Sequence, residues 1–252
     1  MKTKTTIAIA FIILLSASLV TAGILCFRQY GAAAEEEARI IRLQQELRKA
    51  DAVTDDDAAV KAYKKLPPQV PEIQLRIVQR QWRMALELMQ YLQRARGNVE
   101  LQAEPAAYGA RLKTLLDEMI ERCGSTLADS PSLSPEVVWR LYNTSGSAKV
   151  MSALVMLETG QHMDKVQSVM RDALNDYKAA IDAVDKAGAP PAQRNVPRWN
   201  FEVLTGEGKV QKFEVSLSDM DKNRAIKENL ETLIPEIGGY GPGEPVETII
   251  KK

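Results

Sequence analysis

An unbroken run of 21 uncharged residues, Ile7–Phe27 (IAIAFIILLSASLVTAGILCF), constrains this chain more than any other feature. As a helix it spans roughly 31 Å, enough to cross a bilayer core of about 30 Å. Lys2 and Lys4 precede it and Arg28 closes it, and no second run of this kind follows in the 252 residues, so the chain crosses a membrane at most once. Three outcomes remain open: an uncleaved signal-anchor, cleavage after Val20-Thr21-Ala22 before Gly23, and acylation of Cys26. Leu25 is large for the position before an acylated cysteine, and the apolar run continues past Ala22 to Phe27, which favours the anchor over a signal peptide with its shorter apolar region. Arg28, Arg39 and Arg42 balance Lys2 and Lys4, so charge does not decide the orientation. A short basic N-terminus ahead of the first apolar segment places residues 1–6 in the cytoplasm and exports the rest. The expected location is the inner (plasma) membrane, with the bulk periplasmic or extracellular.

Composition narrows the function classes. The 33 basic and 33 acidic side chains cancel, which excludes the basic field of a dedicated nucleic-acid binder. A single histidine excludes a site built on two imidazoles, and two cysteines exclude a thiolate zinc cage or a disulfide framework. No metal or cofactor is expected.

Beyond the anchor, the chain reads as mainly α. Residues 28–66 form a helical stem, with Ile40, Ile41, Leu43 and Leu47 as an apolar stripe too short for a full coiled coil. Within it, Thr54 before Asp55-Asp56-Asp57 reads as a helix cap with acids in a solvated first turn. Leu66-Pro67-Pro68 and Pro71 end the stem.

Residues 73–187 read as an antiparallel bundle of four or five helices. Leu75, Val78, Trp82, Ala85, Met89 and Leu92 stripe a helix over about 73–96 that Gly97 ends. Tyr108, Leu112, Leu115, Met119 and Ile120 stripe a second over about 105–122, which Gly124 stops. Ser134-Pro135-Glu136 opens a third through Val138, Leu141 and Tyr142. Asn143-Thr144-Ser145-Gly146 reads as an interruption before Val150, Leu154 and Leu157. A last helix over about 162–186 carries Met163, Val166, Met170, Leu174, Tyr177, Ile181 and Val184.

Gly188–Pro197 reads as a linker, after which the hydrophobic period changes to two. Trp199, Phe201 and Val203, a Thr205–Gly208 turn, then Phe213, Val215 and Leu217 suggest a hairpin. A helix striped by Ile226, Leu230, Leu233 and Ile237, the Gly238–Gly243 loop and a strand from Val246 to Ile250 complete a small β-β-α-β module over 198–252. Membrane anchor, stem and α-β-β-α-β order together resemble the layout of ring-forming or scaffold subunits of bacterial secretion and pilus-assembly machines. That resemblance implies protein–protein contacts with other envelope proteins, or self-association.

No catalytic, cofactor-binding or metal-binding residue is assigned. His162, with Asp164 nearby, lacks a second ligand or nucleophile and reads as a helix-start residue. Cys123, between Arg122 and Gly124, reads as a half-buried small hydrophobe at a helix end. The loop 238–243 lacks Lys, Ser and Thr and precedes a strand, unlike a phosphate cradle. Asp55–Asp57 lack the spacing of a calcium loop. Asn143-Thr144-Ser145 matches the glycosylation sequon. Arg76, Arg80 and Arg83, extended by Arg94 and Arg96, form a basic stripe that could dock an acidic partner or lipid headgroups, but the favoured reading is that it satisfies Asp55–Asp57 or Glu35–Glu37 of this chain or faces water. Trp82, which falls among these arginines, belongs to the apolar stripe, which weighs against nucleic acid. The expectation is a non-enzymatic, membrane-anchored extracytoplasmic scaffold or adaptor. The alternative is an extracytoplasmic ligand-binding or sensing bundle working with a separate transducer.

Overall fold

The computed structural model describes residues 31, 33–95, 105–129 and 133–205, and every described element is helical. The anchor at 7–27 and the loop 238–243 lie outside the described residues, as do the predicted strands at 213–217 and 246–250. No described helix is long and apolar enough to cross a membrane. The chain divides into two compact units, Met1–Ala52 and Val53–Lys252.

The first unit contributes α1, residues 33–51. Alanine and glutamate at its start are strong helix formers, and Glu36–Arg39 (3.0 Å) and Glu46–Lys49 (2.6 Å) pair one turn apart on its surface. Leu47 and Ala50 are buried, while Ile40 and Ile41 stay 38% and 47% exposed.

The second unit is a bundle of α2 (Asp56–Tyr63), α3 (Pro71–Ala95), α4 (Pro105–Asp129), α5 (Pro135–Glu158), α6 (Met163–Lys186) and α7 (Pro191–Thr205). The predicted stem therefore breaks: residues 52–55 leave the helix, and α2 packs on α3 within the bundle. Asp55, not Thr54, caps α2, its carboxylate accepting from the Ala58 amide at 2.7 Å. Ser134 caps α5 ahead of Pro135, as the sequence predicts.

The α3 stripe is buried as its spacing demands, with Leu75, Val78, Trp82, Ala85 and Met89 all under 5% exposed. Trp82, Ala85 and Met89 meet Leu112, Leu116 and Met119 of α4 and Met151 and Leu154 of α5 in one core. A smaller cluster joins Leu75 and Val78 to Cys123, Val137 and Leu141. A third sets Trp139 against Ala180, Val184 and Ala189. The turn at 159–162, with Gly160 at φ +68, folds α6 back along α5, giving the most extensive helix pairing in the unit.

Three local expectations fail, the first two because tertiary burial outweighs a local breaker signal. Gly124 does not stop α4: it is exposed, where glycine costs a helix only about 1 kcal/mol, and the buried stripe continues through Cys123 and Thr126. Asn143–Gly146 do not interrupt α5, which runs unbroken because these small and polar residues are buried against α6 and α7. Gly188–Pro197 is not a linker, and Trp199–Val203 is not a strand. Gly188 (φ +62) ends α6, and after two residues Pro191 opens α7, a position where proline is preorganised for a helix. The Pro190 carbonyl accepts from the Gln193 and Arg194 amides at 2.9 and 3.0 Å. Pro197, Asn200 and Leu204 are buried at helical spacing while Trp199 is 53% exposed, so the alternation at 199–203 is incidental.

Candidate functional site

The residues singled out by sequence do not converge. His162 is the N-cap position of α6 without a capping hydrogen bond; its ring nitrogen lies 3.3 Å from the Asp164 carboxylate and both side chains are at least 70% exposed. Cys123 is inside α4 instead of at a helix end, and fully buried. Burial, with the Asp176 charge adding to it, pushes its thiol from 9.0 up to about 12, so the reactive thiolate does not form at neutral pH. Among the described residues no group of His, Cys, Asp or Glu is arranged to hold a metal ion.

The acidic run and the arginine stripe meet. Asp56 is not solvated: its side chain is 12% exposed and its carboxylate accepts from Arg80 at 2.8 Å and also from Arg83. Burial works against the Arg80 charge, but its hydrogen bond to Asp56 and the neighbouring Tyr63 outweigh it, and its pKa rises above the ordinary value. Of the options for the stripe, satisfying Asp55–Asp57 of this chain holds for Arg80 and Arg83, through Asp56. Arg96 lies outside the described residues.

The Asn143–Ser145 sequon lies inside the bundle. The Asn200 amide of α7 donates to Asn143 Oδ1 at 2.8 Å, and Ser147 Oγ donates to the Asn143 carbonyl at 3.0 Å. Ser147 also lies 3.0 Å from the Tyr177 hydroxyl, whose pKa is raised by complete burial. Lys149 and Asp176 pair at 2.6 Å across α5 and α6, both largely buried. Each of these polar groups answers another, as low-dielectric surroundings require. This seam fixes helix register. It is largely buried, and its polar groups are taken up by one another.

A different place is open. A half-open groove of about 360 Å³ is walled by the start of α2 (Asp55, Asp56, Asp57), by Met84, Glu87, Leu88 and Tyr91 of α3, and by Tyr108 and Arg111 of α4. Tyr91 and Tyr108 pair with ring centroids 4.4 Å apart at 39°. Sequence reasoning assigns Tyr108 to the core stripe, reads Asp55–Asp57 as a solvated helix start, and passes over Met84, Glu87, Leu88, Tyr91 and Arg111. The signal is present: Glu87 and Tyr91 are spaced i,i+4, Tyr108 and Arg111 i,i+3, so each pair shares one helix face. Nothing local shows that the two faces meet. Asp57, paired with Lys61 at 2.6 Å, is held below the usual carboxylate range chiefly by that hydrogen bond, with Arg111 and Lys64 contributing.

Comparison with protein-family models, with curated proteins and with solved structures finds no match to this chain.

Proposed function

We propose that this protein is a non-enzymatic, single-pass, membrane-anchored scaffold or adaptor of the cell envelope. It acts through contacts with other envelope proteins as a subunit of a secretion- or pilus-type assembly. The observation that carries the reading is the uncharged run 7–27, followed within six residues by a helix that leaves Ile40 and Ile41 in solvent. Large apolar side chains held outside a fold offer area to a partner. The buried, paired polar seam of α5, α6 and α7 supports it further by making the bundle a rigid body for contacts. The 206–252 segment, whose sequence pattern retains strands at Phe213–Leu217 and Val246–Ile250, adds strand edges for a partner to extend.

Crosslinking the full chain in native membranes, followed by mass spectrometry, tests the proposal. Discrete crosslinks from Lys49 or from the 206–252 segment to other envelope proteins are expected. A purely monomeric footprint sinks the scaffold reading. N-terminal sequencing of the mature protein tests the anchor, and a start at Gly23 refutes it.

A further inference from the structure

The three carboxylates at the mouth of the groove are already committed. Asp55 holds the Ala58 amide, Asp56 takes Arg80 and Arg83, and Asp57 takes Lys61. Glu87 and Arg111 differ: both line the groove, both are exposed, and neither makes a hydrogen bond or ion pair among the described residues. The helices thus present one acid from α3 and one base from α4, the base feeling the Asp57 charge without bonding to it. The same groove is lined by the paired rings of Tyr91 and Tyr108 and by Leu88.

A simple cation in this groove would meet Arg111, and a simple anion would meet Glu87 beside Asp55. A ligand carrying both charges on an apolar body satisfies every wall at once. We propose that the groove between α2, α3 and α4 binds a small zwitterion with an aromatic or bulky apolar body, of the α-amino-acid class. Glu87 takes the ammonium, Arg111 takes the carboxylate, and the Tyr91–Tyr108 pair receives the side chain. Its volume falls within the roughly 300–1,000 Å³ of small-molecule sites. Because both charged groups are solvated, each ion pair adds little and a dissociation constant on the order of 1 mM is expected. The proposal is independent of the scaffold reading: lost partner capture leaves it standing, and lost ligand binding leaves the scaffold standing.

The test is saturation-transfer NMR titration of the full-length chain with three probes. These are L-phenylalanine, phenethylamine (no carboxylate) and 3-phenylpropionate (no ammonium). Phenylalanine is expected to saturate, and each singly charged probe to bind at least about fivefold more weakly. Glu87→Gln weakens phenylalanine and phenethylamine by a similar factor and leaves 3-phenylpropionate unchanged. Arg111→Gln weakens phenylalanine and 3-phenylpropionate and leaves phenethylamine unchanged. Both positions are exposed, and unchanged thermal melts confirm that the variants are folded. Absence of saturable phenylalanine binding up to about 20 mM overturns the proposal. So does equal binding of all three probes, or equal phenylalanine binding by both variants and the parent chain.

Discussion

The α5–α6 pairing and the α2–α3–α4 corner use the same kinds of side chain to opposite ends. Between α5 and α6, an amide, two hydroxyls, an ammonium and a carboxylate all lie in the interior, each with a partner. At the corner, Asp56 has two guanidinium partners in one direction, while Glu87 and Arg111 face a groove with none among the described residues. Paired polar groups in a low-dielectric seam specify one arrangement of helices. Unpaired ones kept in contact with water cost little, and leave the surface able to answer a ligand.

Substitutions can break this contrast. The largest effect is expected at Trp139, which is fully buried against α6, its indole N–H donating to Glu136 at 2.9 Å and its ring lying under Arg140. Trp139→Ala should cost about 3–5 kcal/mol by denaturant melts; a loss below about 1 kcal/mol would show that the α5–α6 pairing is not closely packed. Gly146→Ala comes next. A methyl there would sit 2.8 Å from Tyr177 Cε1, and the ring is too enclosed to yield, so about 1–3 kcal/mol should be lost. A neutral result would mean that α5 and α6 can part without cost.

Alkali offers a third probe of the interior. Cys123 ionises near 9.0 when unfolded and near 12 when folded, so its contribution is complete below pH 9 and is lost as pH climbs towards 12. Stability should fall by about 1 kcal/mol between pH 9 and 10 from the thiol alone, and Cys123→Ala should remove that fall. An unchanged slope in the variant would assign the alkaline loss to other groups. The smallest effect belongs to the corner: Glu87→Gln and Arg111→Gln should each shift stability by no more than about 0.5 kcal/mol. A larger loss from either would mean that these charges serve the fold and not a ligand.

The helices with strong stripes are legible in the amino-acid sequence. Leu75 to Met89 and Val166 to Val184 follow a spacing that leaves a helix with one buried face no other consistent fold. The sequence misleads where polarity and local propensity point away from a helix. Asn143, Ser145 and Gly146 look like a break until Asn200 and Tyr177 are brought to them. Pro190, Pro191 and Pro197 look like a linker, yet the first two start a helix and Pro197 lies on the buried face of α7. Of the candidate groove, each half is written as a pair on one helix, but which halves face each other is a long-range fact.

Apolar periodicity is a local property of the chain, and it established that the described body is helical, roughly where its long helices run and which stripes they bury. One histidine and a balanced charge likewise limited the chemistry. Packing settled the remainder: which polar residues are interior, that Asp56 and not water answers Arg80 and Arg83, that 191–205 is helical, and that Glu87 and Arg111 share one groove. The physical reason is that a polar side chain prefers water unless the interior offers it a hydrogen-bond partner. Its place is set by whether packing elsewhere supplies a partner, and that partner lies up to 57 residues away in the chain, as Asn200 does from Asn143.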